Sequence, residues 1–334
     1  MKQATMRLIA LEEHFLTPAF LEGPGISLKQ QAQSTNPRVA SRYSRLIDQL
    51  CDLDEGRLAS MDAAEIDLQV LSLHSPGVEQ LDLDAATNLA RDTNDWLANA
   101  VHRHPDRLAG LAAVPTMMPD VAASELKRMV QDHGFKGAVI NGHTRGRYLD
   151  DTFFWPILEC AAELRVPLYL HPTPPPQQVI ETYYTGNFAP DVAAQLATPA
   201  WGWHIETAIH VLRLILSGAF DRYPDLQLVI GHLGEALPFM LPRLDVTLPR
   251  ETTKLDRSIG EYLRHNVYYT ISGFNFTPPF LDLLLQVGVD RIMFSADYPW
   301  GSMEAARLFL EQLPISPLDK ERIAHGNAEQ LLRL

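Results

Sequence analysis

At 334 residues, 46% of them hydrophobic and 21% charged, the chain has ordinary globular composition and the length for a large core. Its 41 acidic residues against 28 basic ones give a formal charge of −13, which argues against nucleic acid or an anionic membrane surface as the main partner. Two cysteines, Cys51 and Cys160, stand outside any metal-type spacing and fit a reduced, cytoplasmic protein. No apolar run approaches a membrane span, and the opening MKQATMRLIALEEH has no apolar h-region, so no signal peptide is expected.

The first predicted strand is RLIAL, residues 7–11, and it stops abruptly on Glu12, Glu13 and His14. Strict alternation along a strand projects Glu12 and His14 to one side and Glu13 to the other. That is either a pair of metal ligands at a strand end or a polar terminus entering a loop. Residues 17–60 are too many for a bare loop and predict a helical insertion. The second strand, DLQVLSL at 67–73, is followed by an amphipathic helix, AATNLARDTNDWLANAVHRH, with Leu89, Ala90, Trp96, Leu97, Ala100 and Val101 on one stripe.

Further strands are predicted at 108–114 (LAGLAAV), 136–141 (KGAVIN) and 166–171 (VPLYLH), with a helix ending at Gly134 between the first two. A proline- and aromatic-rich stretch, 172–203, predicts a long lid-like loop. The helix IETAIHVLRLILSGAF and strands at 226–232 (LQLVIGH), 266–272 (NVYYTIS) and 291–297 (RIMFSAD) complete the series. Continuous apolar runs of this kind suit parallel strands buried on both faces. Eight of them alternating with helices predict an α/β fold, a (β/α)₈ TIM barrel in one domain over 1–334. The rival, an open doubly wound sheet, lacks its glycine-rich turn after the first strand.

Barrel enzymes place their chemistry at the C-terminal strand ends. There the sequence puts Glu12 and His14 (strand one), His171 (five), His232 (six) and Asp297 (eight). Any one strand-end histidine is most simply structural, whereas this set of carboxylates and imidazoles suits one divalent transition ion. The fourth strand ends GAVINGH, with no Lys, Glu or Cys to bridge a second metal. His74 and His143 also follow strands, but nothing in the pattern pairs them.

With ALEEHF at 10–15, YLHP at 169–172, the block WGWHIETAIHVLRLILSGAFDRYPDLQLVIGHLGEALPFMLPR at 201–243 and FSADYPW at 294–300, the chain resembles the amidohydrolase superfamily, and within it the decarboxylase branch of amino-carboxymuconate-semialdehyde, γ-resorcylate and 2,3-dihydroxybenzoate decarboxylases. The resemblance implies that Glu12, His14, His171 and Asp297 ligate one divalent ion, Zn²⁺ or Mn²⁺. It implies that His232 and Glu235 position and tune the aspartate, and that Arg243 enters the neighbouring subunit's site in a homodimer or homotetramer. One position departs: where the resorcylate enzymes carry an asparagine reaching a ring hydroxyl, this chain has Leu248.

The expected reaction is non-oxidative decarboxylation of an ortho-hydroxylated aromatic acid. Its phenolate and carboxylate chelate the ion, Asp297 (or, second, His232) protonates the ring carbon, and Arg243 holds the carboxylate. For Arg243 the alternative is a surface ion pair, and for Glu235 a carboxylate at a helix start. Trp201, Trp203 and Tyr183 cover the ring or simply pack. The alternatives for the whole chain are a metal-dependent hydrolase or hydratase of a ring-cleavage acid or lactone, and a non-catalytic binding protein.

Overall fold

The computed structural model describes residues 6–334, so the start of the segment read above for a signal peptide lies outside the described residues. Eight parallel strands form the wall: β1 (Ile9–Phe15), β2 (Leu68–Leu73), β3 in two pieces (Leu108–Gly110 and Ala112–Ala113), β4 (Ala138–Asn141), β5 (Leu168–His171), β6 (Leu228–Ile230), β7 (Val267–Thr270) and β8 (Ile292–Met293). Neighbours in sequence are neighbours in space throughout. The wall breaks once, at Leu111, whose N–H still bonds Leu71 on β2 while the next residue bonds Gly137 beside β4. It closes where Leu11 N–H donates to Phe294 O (3.1 Å) and His14 N–H to Tyr298 O (2.8 Å).

Alternation sorts each strand into two cores. Ile9, Leu11, Leu68, Val70, Val139, Tyr169, Val229, Tyr268 and Met293 fill the barrel interior, and Ala328 and Leu332 of the C-terminal helix (Asn327–Leu332) join them as a plug. The intervening residues pack outward on the helices. Each large aliphatic side chain so buried contributes about 1.5–3 kcal/mol. Most strands are shorter than their apolar runs, but β1 runs on past Leu11 through Glu12, Glu13 and His14 to Phe15, while His232 and Asp297 lie beyond the ends of β6 and β8.

The segment between β1 and β2 folds into helices Pro18–Leu21, Ile26–Ala32, Pro37–Cys51 and Glu55–Ala64. The lid-like stretch is not a bare loop: it carries helices Gln177–Tyr183 and Pro190–Ala197. No helix among the described residues is long and apolar enough to cross a membrane.

Arg57 ties the insertion to the end of β1. It is buried, and it donates to Asp52 O (2.8 Å), His14 O (2.8 Å), Gln49 O (3.0 Å) and Gln69 Oε1 (3.1 Å). Arg57→Ala takes the donor from these four acceptors, of which His14 O and Gln69 Oε1 are buried, and is expected to cost about 3–5 kcal/mol, read as a fall in urea midpoint. An unchanged midpoint contradicts this role.

Candidate metal centre and its carboxylate–imidazole relay

Glu12 is the residue that ordinary strand geometry misplaces. Leu11 faces the interior, so unbroken alternation turns Glu12 and His14 outward and Glu13 inward. A bulge prevents this: Leu11 pairs with Val70 and Glu13 with Leu71, leaving Glu12 as the extra residue at φ +66°. Beyond it, His14 faces inward opposite Ser72, and Glu13 faces outward. Glu12 and His14 do meet, as the sequence suggests, but through the bulge rather than by simple alternation.

The Glu12 carboxylate sits on a floor of hydroxyls. Its Oε2 accepts from Tyr169, Thr270 (3.0 Å) and Ser272. Gly231 makes room, since a Cβ there overlaps the same carboxylate. The other oxygen, Oε1, is buried without a hydrogen bond among the described residues, 3.5 Å from His171 Nε2 and 3.8 Å from His232 Nε2. His14 Nε2 lies 3.1 Å from Asp297 Oδ1. Burial pushes His14 and His171 down to about 3, so both rings are neutral and present lone pairs. Burial pushes Asp297 up to about 7.

Glu12, His14 and His171 converge within a span that one cation bridges, and Asp297 stands against His14. A buried carboxylate oxygen facing neutral imidazoles is costly alone and satisfied by a divalent ion, so the residues present fit one. Two carboxylates and two imidazoles suit manganese and zinc alike.

Glu13 acts behind this set. Its carboxylate accepts from the N–H groups of Ala296 (2.7 Å) and Tyr298 (3.2 Å), the two neighbours of Asp297, and burial pushes it up to about 8. It thereby fixes the turn in which Asp297 sits at φ +61°. Left-handed backbone at Glu12, His232, Leu233, Glu235, Ala236 and Asp297 concentrates strain at the barrel mouth.

A relay runs along the opposite wall. His204 Nδ1 contacts Glu235 Oε2 (2.5 Å), an acceptor, and its Nε2 lies 3.1 Å from both Trp203 Nε1 and the Pro199 carbonyl oxygen. Glu235 Oε1 accepts from His232 Nδ1–H (2.8 Å). Burial opposes charge on both His232 and Glu235, but their mutual attraction prevails: Glu235 is held down at about 2, and Glu235 and Glu12 hold His232 up at about 10. Phe274 packs edge-on against both imidazoles.

Glu12, His14, His171, His232, Glu235 and Asp297 thus share one mouth. Arg243 does not join them: it is exposed on the helix Leu237–Thr247 and its side chain makes no ion pair among the described residues. Leu248 packs against the outer core. Trp201 and Tyr183 are exposed, and Trp203 serves the relay. Sequence reasoning passed over His204, which lies on a helix rather than a strand end, and His74, whose ring packs edge-on 5.6 Å from that of His14.

The amidohydrolase family model matches residues 41–334. A γ-resorcylate decarboxylase from Polaromonas sp. (strain JS666) is 36% identical over 340 residues, covering 98% of each chain. The structure of 5-carboxyvanillate decarboxylase from Novosphingobium aromaticivorans, complexed with manganese and 4-hydroxy-3-methoxy-5-nitrobenzoic acid, is 36% identical with a TM-score of 0.89, over 99% of this chain and 97% of that one. That of dihydroxybenzoic acid decarboxylase from Polaromonas sp. JS666, with bound manganese and the inhibitor 2-nitroresorcinol, is 35% identical with a TM-score of 0.88, over 98% and 97%. The chain therefore belongs to the amidohydrolase family, in its decarboxylase branch.

Proposed function

We propose that this chain is a metal-dependent, non-oxidative decarboxylase of a small aromatic acid carrying a hydroxyl ortho to its carboxylate. The carrying observation is the buried, unpartnered Glu12 Oε1 facing His171, with the His14–Asp297 pair beside it. Glu12, His14, His171 and Asp297 hold one divalent ion, manganese by analogy with the two complexes named above. When bound, the ion would supply a Lewis acid toward the substrate's oxygens.

The chain's own residues do the rest. Asp297 delivers its proton to the ring carbon that bears the carboxylate. The C–C bond then breaks, its electron pair returns to the ring, and CO₂ departs; Asp297 regains a proton from solvent. His232, held by Glu235, turns its Nε2 toward Glu12 Oε1 and keeps a positive charge beside that carboxylate, and His204 holds Glu235 in turn.

Arg243 belongs to the neighbouring copy's site in a homo-oligomer, where its guanidinium grips the departing carboxylate. Its surroundings support this: Phe239, Met240 and Val246 on the same helix expose large apolar surface. Arg243→Ala and Asp297→Asn proteins, each inactive, are then expected to regain about a quarter of wild-type activity when unfolded and refolded together, because mixed dimers hold one intact site. No recovery contradicts a shared site. The localisation proposed is cytoplasmic, in line with two free cysteines.

The direct test is CO₂ release from a panel of ortho-hydroxybenzoates by protein reconstituted separately with Mn²⁺ and Zn²⁺. Release that stops on chelation supports the reading. Metal-loaded protein that releases none from any member overturns it.

A further inference from the structure

His74 is the histidine that the metal-centre pattern leaves out. On β2, Leu68, Val70 and Ser72 face the barrel interior, while Leu71 and Leu73 pack outward. His74 is the next inward position, one residue past the strand end, and its N–H continues the ladder by donating to Phe15 O (3.0 Å). The side chain therefore stands in the mouth beside His14. Its ring lies edge-on to His14 (centroids 5.6 Å, 73°) and against Trp300 (5.4 Å, 40°), so it is wedged between a metal-side imidazole and a half-exposed indole.

The hydrogen bond His74 makes settles its tautomer. Nδ1 contacts the carbonyl oxygen of Ser75, which only accepts, so Nδ1 carries the proton. The Nε2 of a neutral ring is then a lone pair, and it has no hydrogen-bond partner among the described residues. The Asp297 carboxylate of the mouth is engaged with His14. Ser75 Oγ is turned to Thr173 Oγ1 (3.5 Å). An acceptor at a polar mouth, backed by a flat indole, is suited to a hydroxyl on a flat ring.

We propose that His74 is a specificity-determining residue: its Nε2 accepts a hydrogen bond from a second hydroxyl on the substrate ring, with Trp300 as the wall behind. This rests on the aromatic-acid reading above and narrows its substrate class to dihydroxylated rings. A methoxy group or hydrogen at that ring position leaves the acceptor unmatched.

The test reads binding, independently of turnover. Dissociation constants for 2-nitroresorcinol, with two hydroxyls flanking the nitro group, and 2-nitrophenol, with one, are measured on manganese-loaded protein from the absorbance change of the nitrophenolate. Wild type is expected to favour 2-nitroresorcinol by about five- to tenfold, the worth of one neutral hydrogen bond. His74→Phe keeps a flat ring and should erase the preference, and His74→Gln, which retains an acceptor, should restore part of it. His74→Ala gives the same readout should the phenyl ring not fit. Absence of the preference in wild type, or its persistence in His74→Phe or His74→Ala, overturns the inference. A His74-dependent preference in protein that releases no CO₂ from any hydroxybenzoate separates the two claims: the hydroxyl contact then stands and the decarboxylase reading falls.

Discussion

Asp297→Asn is expected to lower CO₂ release by about 10³-fold, within the 10²–10⁴ range of a positioned general acid, while the protein stays folded. Asparagine has the shape of aspartate, and the turn around it is held by Glu13 through the N–H groups of Ala296 and Tyr298, neither of which the substitution touches. What is lost is an ionisable proton and a metal-side oxygen. Thermal melts of metal-free protein supply a second readout. Burial pushes Asp297 up to about 7, above its usual carboxylate value near 4. Folding therefore resists its ionisation, and the wild type loses stability relative to the variant as pH rises through that interval. The variant is expected to melt higher than wild type at pH 8, with the gap closing at pH 5. Decarboxylation within tenfold of wild type removes Asp297 as the acid. A variant that melts lower at both pH values shows instead that the aspartate supports the fold.

The barrel and most of the mouth were legible because both follow from period and position. Buried parallel strands read as continuous apolar runs, and their C-terminal ends can be counted off to His171, His232 and Asp297 without any knowledge of tertiary contacts. The bulge at Glu12 was not legible. Nothing in LEEHF distinguishes a strand that alternates from one that inserts a residue; the outcome depends on the Gly231 gap and on hydroxyls from β5 and β7 distant in sequence. His204 was hidden for a related reason. Period-3.6 reading assigns it to a helix, and only packing aims it at Glu235. The role proposed for Arg243 rests on family resemblance, because a contact made in another copy would leave no signature in the local pattern of one chain.

Glu12→Gln carries the largest expected effect on metal content, and the hydroxyl floor dictates its direction. Three hydroxyl donors, from Tyr169, Thr270 and Ser272, face Oε2. A glutamine that put its amide nitrogen there would take away the acceptor that all three hydroxyls share, so its carbonyl oxygen is expected to take that place. The NH₂ group then occupies the position of Oε1, its hydrogens aimed at the gap before His171 Nε2 and His232 Nε2. A ligand is thereby replaced by a group that repels a cation. Bound manganese is expected to fall from about one per chain to under a tenth, with CO₂ release falling in proportion. Stability should split by metal state. Manganese at 100 times its dissociation constant stabilises wild type by about 2.7 kcal/mol and raises its melting temperature by several degrees. The glutamine protein should gain nothing from the ion. Metal analysis after dialysis, paired with melts in the presence and absence of Mn²⁺, distinguishes the cases. Stoichiometric manganese and an undiminished metal-dependent shift in Glu12→Gln would show that the bulge at the end of β1 presents its carboxylate for some purpose other than a metal.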